Sequence, residues 1–143
     1  MTGGSRALVA RGARLVPYLC AAIANIGIAA DLPVGRSTSW GSFYVTYLSS
    51  PDPIPLNALF ALTVTVSDAG NHSHRVGDSA IAVEARMPTH NHGMNLRPRV
   101  TAIGDGQFQV EGMLFHMPGL WQIFVDVSHK GVTERAVFDV TVE

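Results

Sequence analysis

Apolar residues recur at alternate positions in run after run of this 143-residue chain, and that period of two limits most of it to strands. Phe60, Leu62, Val64 and Val66 alternate with polar Thr63 and Thr65. Successive side chains of a strand point to opposite faces, so such a run has one face in a core and the other in water. Ile81, Val83, Ala85 and Met87 repeat the pattern with Ala82, Glu84 and Arg86 facing away, and Phe108, Val110 and Leu114 oppose Gln107, Gln109 and Glu111. Trp121, Ile123, Val125 and Val127 oppose Gln122 and Asp126. In the last run Val132, Ala136, Phe138, Val140 and Val142 oppose Thr133, Arg135, Asp139 and Thr141. Weaker runs at 43–48 and 99–103 bring the expected strands to seven.

The punctuation between runs agrees. Ser49-Ser50-Pro51-Asp52-Pro53, Asp68-Ala69-Gly70-Asn71, Gly104-Asp105-Gly106, Met117-Pro118-Gly119 and His129-Lys130-Gly131 fall between them, and Gly-Asp-Gly and His-Lys-Gly are short enough for hairpins. No capped helical stripe follows residue 30. About seven short antiparallel strands, with turns roughly every 8–12 residues, predict an all-β, immunoglobulin-like β-sandwich over residues 31–143.

Ahead of that domain, Arg6, Arg11 and Arg14 precede an uncharged apolar stretch at 15–30, LVPYLCAAIANIGIAA, which ends in small residues before Asp31. Basic, apolar, then small is the order of an N-terminal signal peptide, and the stretch is shorter than the ~20 residues of a bilayer span. Cleavage near Ala30 would place the domain in the periplasm or another extracytoplasmic space; retention would anchor it to a membrane. Bulky Tyr18 and Leu19 ahead of Cys20 argue against lipid attachment there.

Removal of residues 1–30 leaves 113 residues that keep 7 of the 10 basic groups and all 11 acidic ones, a net charge of −4. With no basic excess and no dense Lys/Arg run, nucleic acid is not an expected partner. The only cysteine leaves with the leader. Such a domain is no disulfide scaffold, thiol enzyme, iron–sulfur protein or blue-copper protein.

The chemistry-bearing residues are histidines and methionines. All six histidines and four of the five methionines lie beyond residue 30, in two clusters: Met87-Pro88-Thr89-His90-Asn91-His92-Gly93-Met94 and Met113-Leu114-Phe115-His116-Met117. If the first segment is extended, His90, His92 and Met94 share one side, and Gly93 lets the backbone bend toward an ion. Imidazole suits copper, zinc, nickel and iron, whereas the soft thioether favours Cu(I). A mixed set therefore points to copper, as Cu(I) or Cu(II), with zinc the lesser competitor if only the histidines bind. His116 and Met117 would complete the set, because strand ends of a sandwich gather at one rim. Met87 is a weaker candidate ligand.

Packing is the competing explanation. Met87 continues the apolar face of Ile81, Val83 and Ala85, and Met113 beside Phe115 reads as core or rim packing. His116 shares the parity of Phe108 and Val110 and so points toward the core end, where a carbonyl would hold it without metal. His90 and His92 would then sit in a solvated loop. His72-Ser73-His74 reads as a solvated turn, His129 as exposed beside a hairpin, and Trp40 and Trp121 as core or rim packing.

The string from Met87 to Met94, followed by Gly104-Asp105-Gly106 and by Gly112-Met-Leu-Phe-His-Met-Pro-Gly-Leu-Trp121, resembles the YtkA-like family of small extracytoplasmic bacterial domains. The resemblance runs from about Leu56 to Val142. That family is similar in turn to FixH proteins, which are linked to copper delivery for respiratory oxidases. The resemblance implies an immunoglobulin-like sandwich, export, and a role in copper handling or oxidase assembly.

An enzyme is not expected. Residues 31–143 contain no Gly-rich phosphate loop, no nucleophile elbow and no thiol, and Glu84 and Glu111 fall on solvent-facing positions. Two functions follow. One is a periplasmic copper carrier or metallochaperone that holds its ion at a shallow rim through His90, His92, Met94 and His116, with Met117 and Met87 as weaker ligands. It would hand copper to an acceptor protein or membrane-bound oxidase, and a site shared between two copies would make it a homodimer. The other is a metal-free sandwich acting as an accessory or interaction module in a membrane-bound assembly.

Overall fold

The computed structural model describes Met1 and residues 33–143. The expected signal segment and its cleavage point lie outside the described residues. Among those described there is no helix, and none long and apolar enough to cross a membrane. The strands are β1 (Val34–Ser37), β2 (Phe43–Ser50), β3 (Leu59–Asp68), β4 (Ala80–Met87), β5 (His92–Gly93), β6 (Arg99–Gly104), β7 (Gln107–Leu114), β8 (Gly119–His129) and β9 (Val132–Val142). They form an immunoglobulin-like sandwich of two antiparallel sheets, ordered β1-β2-β3-β7-β6 and β5-β4-β8-β9.

Nine strands stand where seven are expected. The two additions, β1 and β5, are short and lack apolar alternation; pairing with β2 and β4 defines them. Both expected tight hairpins are present. Asp105 and Gly106 close β6–β7, and Lys130 and Gly131 close β8–β9, with positive φ at all four.

The core lies between the sheets. Val45, Leu62, Val64 and Val66 from one sheet meet Trp121, Ile123, Val125 and Phe138 from the other, all fully or almost fully enclosed. Burying a side chain such as Leu62 is worth about 1.5–3 kcal/mol, so these alternating faces hold the two sheets together.

One strand departs from its sequence parity. On β7, Val110 pairs with Leu62 but Met113 pairs with Phe60, so three steps on β7 match two on β3. The extra residue is a bulge at Gly112, whose φ of 82° suits glycine. Beyond it the faces exchange. Met113 and Phe115 are buried, while Leu114 and His116 are only half-buried, which corrects the expected inward positions of Leu114 and His116.

Two further expectations need correction. Trp40 is 75% exposed in the turn between β1 and β2 rather than packed. His129 is largely covered, not solvated: its side chain is 17% exposed, its ring lies edge-on to Phe43 and its Nε2 is 2.9 Å from Asp78 Oδ1. That contact, ahead of its other causes, holds the Asp78 carboxyl below its ordinary range.

Candidate functional site

The first His/Met cluster is a hairpin and not one extended run. Met87 on β4 pairs with His92 on β5, the His90 N–H donates to the Met87 carbonyl at 3.3 Å, and Asn91 turns the chain with φ of 49°. Asparagine tolerates that left-handed conformation, which is the local reason the chain reverses there. His90 therefore sits on the turn and His92 on the returning strand. The Met94 N–H extends the pairing to the Ala85 carbonyl at 3.2 Å.

The second cluster enters the same rim from the link between β7 and β8. Past the Gly112 bulge, Phe115 enters the core and His116 faces the rim. The Met117 carbonyl accepts a 2.9 Å hydrogen bond from Trp121 Nε1, which ties the link to β8.

The two clusters meet through the imidazoles of His92 and His116. The His92 ring stacks on His116 at 5.2 Å between centroids and 28° between planes, and His90 is 6.0 Å from His92. Trp121 packs against the pair, edge to face with His92 at 6.1 Å and with His116 at 5.6 Å, and also stacks on the Phe115 ring at 4.5 Å. Trp121 as the floor of the rim was not legible in the sequence, because a tryptophan on an apolar strand face reads simply as core.

His92 Nε2 and His116 Nδ1 are both buried and have no hydrogen-bond partner among the described residues. Leaving a buried polar atom unpaired costs about 1–3 kcal/mol, and native proteins rarely carry two side by side. Imidazole nitrogens ~2 Å from one ion place ring centroids roughly 5–6 Å apart, the spacing seen here.

The remaining candidates fall into two groups. Met94 and Met117 are partly buried against the core at the rim, whereas Met87 is 1% exposed and packs in the core, its Cε close to Gly119. Among the described residues no three His, Cys, Asp or Glu side chains are grouped to hold a metal ion. A histidine pair is thus what the rim offers, and Met94 and Met117, two residues after His92 and one after His116, are the thioethers nearest to it in sequence. His72 lies elsewhere, stacked on Tyr44 at 3.7 Å, and His74 is exposed.

At the opposite end of β9, Glu134 is 2% exposed. Its Oε2 accepts hydrogen bonds from Thr38 Oγ1 at 2.5 Å and from the Ser42 N–H at 3.2 Å, clamping the β1–β2 turn to the second sheet. Burial alone would raise its pKa, but the hydrogen bonds from Ser42, Thr38 and the Trp40 backbone outweigh it and hold the carboxyl below its ordinary value.

Fold and rim together define a small β-sandwich with a histidine- and methionine-lined hairpin end. The fold has a solved counterpart: the crystal structure of a DUF4426 family protein from Pseudomonas aeruginosa superimposes with a TM-score of 0.53 over 76% of this chain and 93% of that one, at 14% identity. At that identity the likeness concerns the fold alone. No family model and no curated protein matches the chain.

Proposed function

We propose that the rim binds copper and that the protein is an extracytoplasmic copper carrier. The observation that carries this reading is the pair of buried, unpaired nitrogens, His92 Nε2 and His116 Nδ1, on adjacent rings. A purely structural histidine pair would spend those atoms on hydrogen bonds. An ion between them offsets the cost of burying them.

The donor set favours copper over zinc. With two clustered histidines and, among the described residues, no acidic or thiolate third ligand grouped with them, a stable zinc site lacks its usual four donors, whereas Met94 and Met117 offer the soft sulfur that Cu(I) prefers. His90, exposed on the turn, is placed to exchange an ion with a partner. The Met-Pro-Thr-His-Asn-His-Gly-Met string and its resemblance to YtkA-like and FixH proteins support delivery to a membrane-bound oxidase. The basic, apolar and small-residue order of residues 6–30 supports export.

Titration of the protein with Cu(I), Cu(II) and Zn(II) under a competing chelator tests the reading. Tight Cu(I) binding that disappears in the His92→Ala/His116→Ala variant is expected. Absence of binding by every ion at micromolar protein would reject it and leave the metal-free interaction module.

A further inference from the structure

Strand β4 is open along most of its outer edge. β5 covers it only at Arg86 and Met87, Met94 adds one bond at Ala85, and nothing among the described residues pairs with that edge from Ala80 to Glu84. The N–H and C=O of a strand residue point to the same side and alternate from residue to residue. Since Ala85 faces the line of β5, Ile81 and Val83 turn their N–H and C=O groups outward too. Exposed edges are normally blunted with charged side chains, lysine above all, with proline or with a covering segment; Ala80–Met87 has no lysine or proline, and its two charged residues, Glu84 and Arg86, engage each other.

The edge lies in an open groove of about 740 Å³ that also takes in Met94, Leu96, Arg97 and Val100. Ile81, Val83 and Val100 pack on the core but are only partly covered, because β6 on the other sheet is an edge strand as well. The sandwich is unfinished along this side, over the width of one strand.

Charge narrows the occupant. Glu84 and Asp126 on the groove wall are engaged by Arg86 and Arg135, while Arg97 is exposed and makes no ion pair among the described residues. Three arginines face two carboxylates in a domain whose overall charge beyond residue 30 is −4.

We propose that this groove takes an extended acidic segment of a partner protein by strand addition to β4. The segment's backbone pairs with Ile81 and Val83, alternate apolar side chains cover Val83 and Val100, and a carboxylate meets Arg97. The added strand lies in line with β5, so its end abuts Met94. The proposal rests on backbone geometry and charge and holds with or without metal at the rim.

The test uses the full chain with a metal chelator present and a fluorescein-labelled hexapeptide of alternating glutamate and valine. Binding is expected, with slowed amide exchange at Ile81 and Val83. N-methylation of alternate peptide amides should weaken it about tenfold, the loss of one or two hydrogen bonds. A lysine–valine counterpart should bind more weakly, and Arg97→Glu should reverse that preference without changing the melting temperature. Equal binding of the N-methylated peptide, unaltered exchange at Ile81 and Val83, or no binding at about 1 mM peptide would overturn the proposal. Protection of those two amides in the chain alone would also overturn it, assigning the groove to residues 15–30 or to a second copy.

Discussion

The rings of His92 and His116 stack 5.2 Å apart although one comes from β5 and the other from the link after β7, and each carries a buried nitrogen without a hydrogen-bond partner among the described residues. Stacking of this kind contributes packing but no hydrogen bond, so the pair supplies donor atoms that nothing among the described residues uses.

Replacement of His92 by leucine should therefore leave the metal-free fold at least as stable, because an unpaired buried nitrogen is removed, while copper affinity falls by about tenfold or more. Urea unfolding and chelator competition read the two effects separately. A loss of stability above about 1 kcal/mol would show that His92 carries a structural hydrogen bond and would count against the copper reading.

Trp121 gives an optical reading of the same site. In a Trp40→Phe variant the remaining tryptophan is buried and in edge contact with both imidazoles. Cu(II) held by those rings is expected to quench its blue-shifted emission with a one-to-one endpoint. In a Trp121→Phe variant the emission of exposed Trp40 should persist at the same copper concentration.

Glu134 makes the fold acid-sensitive. Its carboxyl is depressed in the folded state, so its contribution is complete above the ordinary glutamate value of about 4.3 and is lost as pH falls through the folded one. Urea denaturation in steps below pH 5 should show stability falling. Glu134→Gln should flatten that slope and cost about 1–2 kcal/mol at pH 7, the difference between charge-assisted and neutral hydrogen bonds. An unchanged slope would remove Glu134 as the source.

Gly112→Ala tests the bulge. A Cβ there meets no atom within 4 Å, so the whole cost is the left-handed backbone, about 1–2 kcal/mol. Calorimetry should show the loss. A neutral substitution would mean that the bulge does not depend on glycine.

Much of this architecture was legible in the alternation of Phe60–Val66 and of the later runs, because a half-buried strand writes its two environments into successive residues. β1 and β5 were illegible for the same reason: both are too short and too exposed to carry a pattern, and only cross-strand pairing creates them. The meeting of the two His/Met clusters followed from strand ends sharing a rim. Their local geometry did not, since Asn91 bends 90–94 into a hairpin and Gly112 shifts the parity before His116. Glu134 was hidden differently, at a position where the alternation of β9 calls for an apolar residue, because its partners Thr38 and Ser42 are remote in sequence.

The single extra residue in β7 also decides which side chains belong to the rim and which to the core. Delete it, and Leu114 and His116 take the inward positions while Met113 and Phe115 turn outward, which withdraws one imidazole from the pair without replacing any ligand. Whether the two imidazoles meet thus depends on the length of one strand as much as on the histidines themselves.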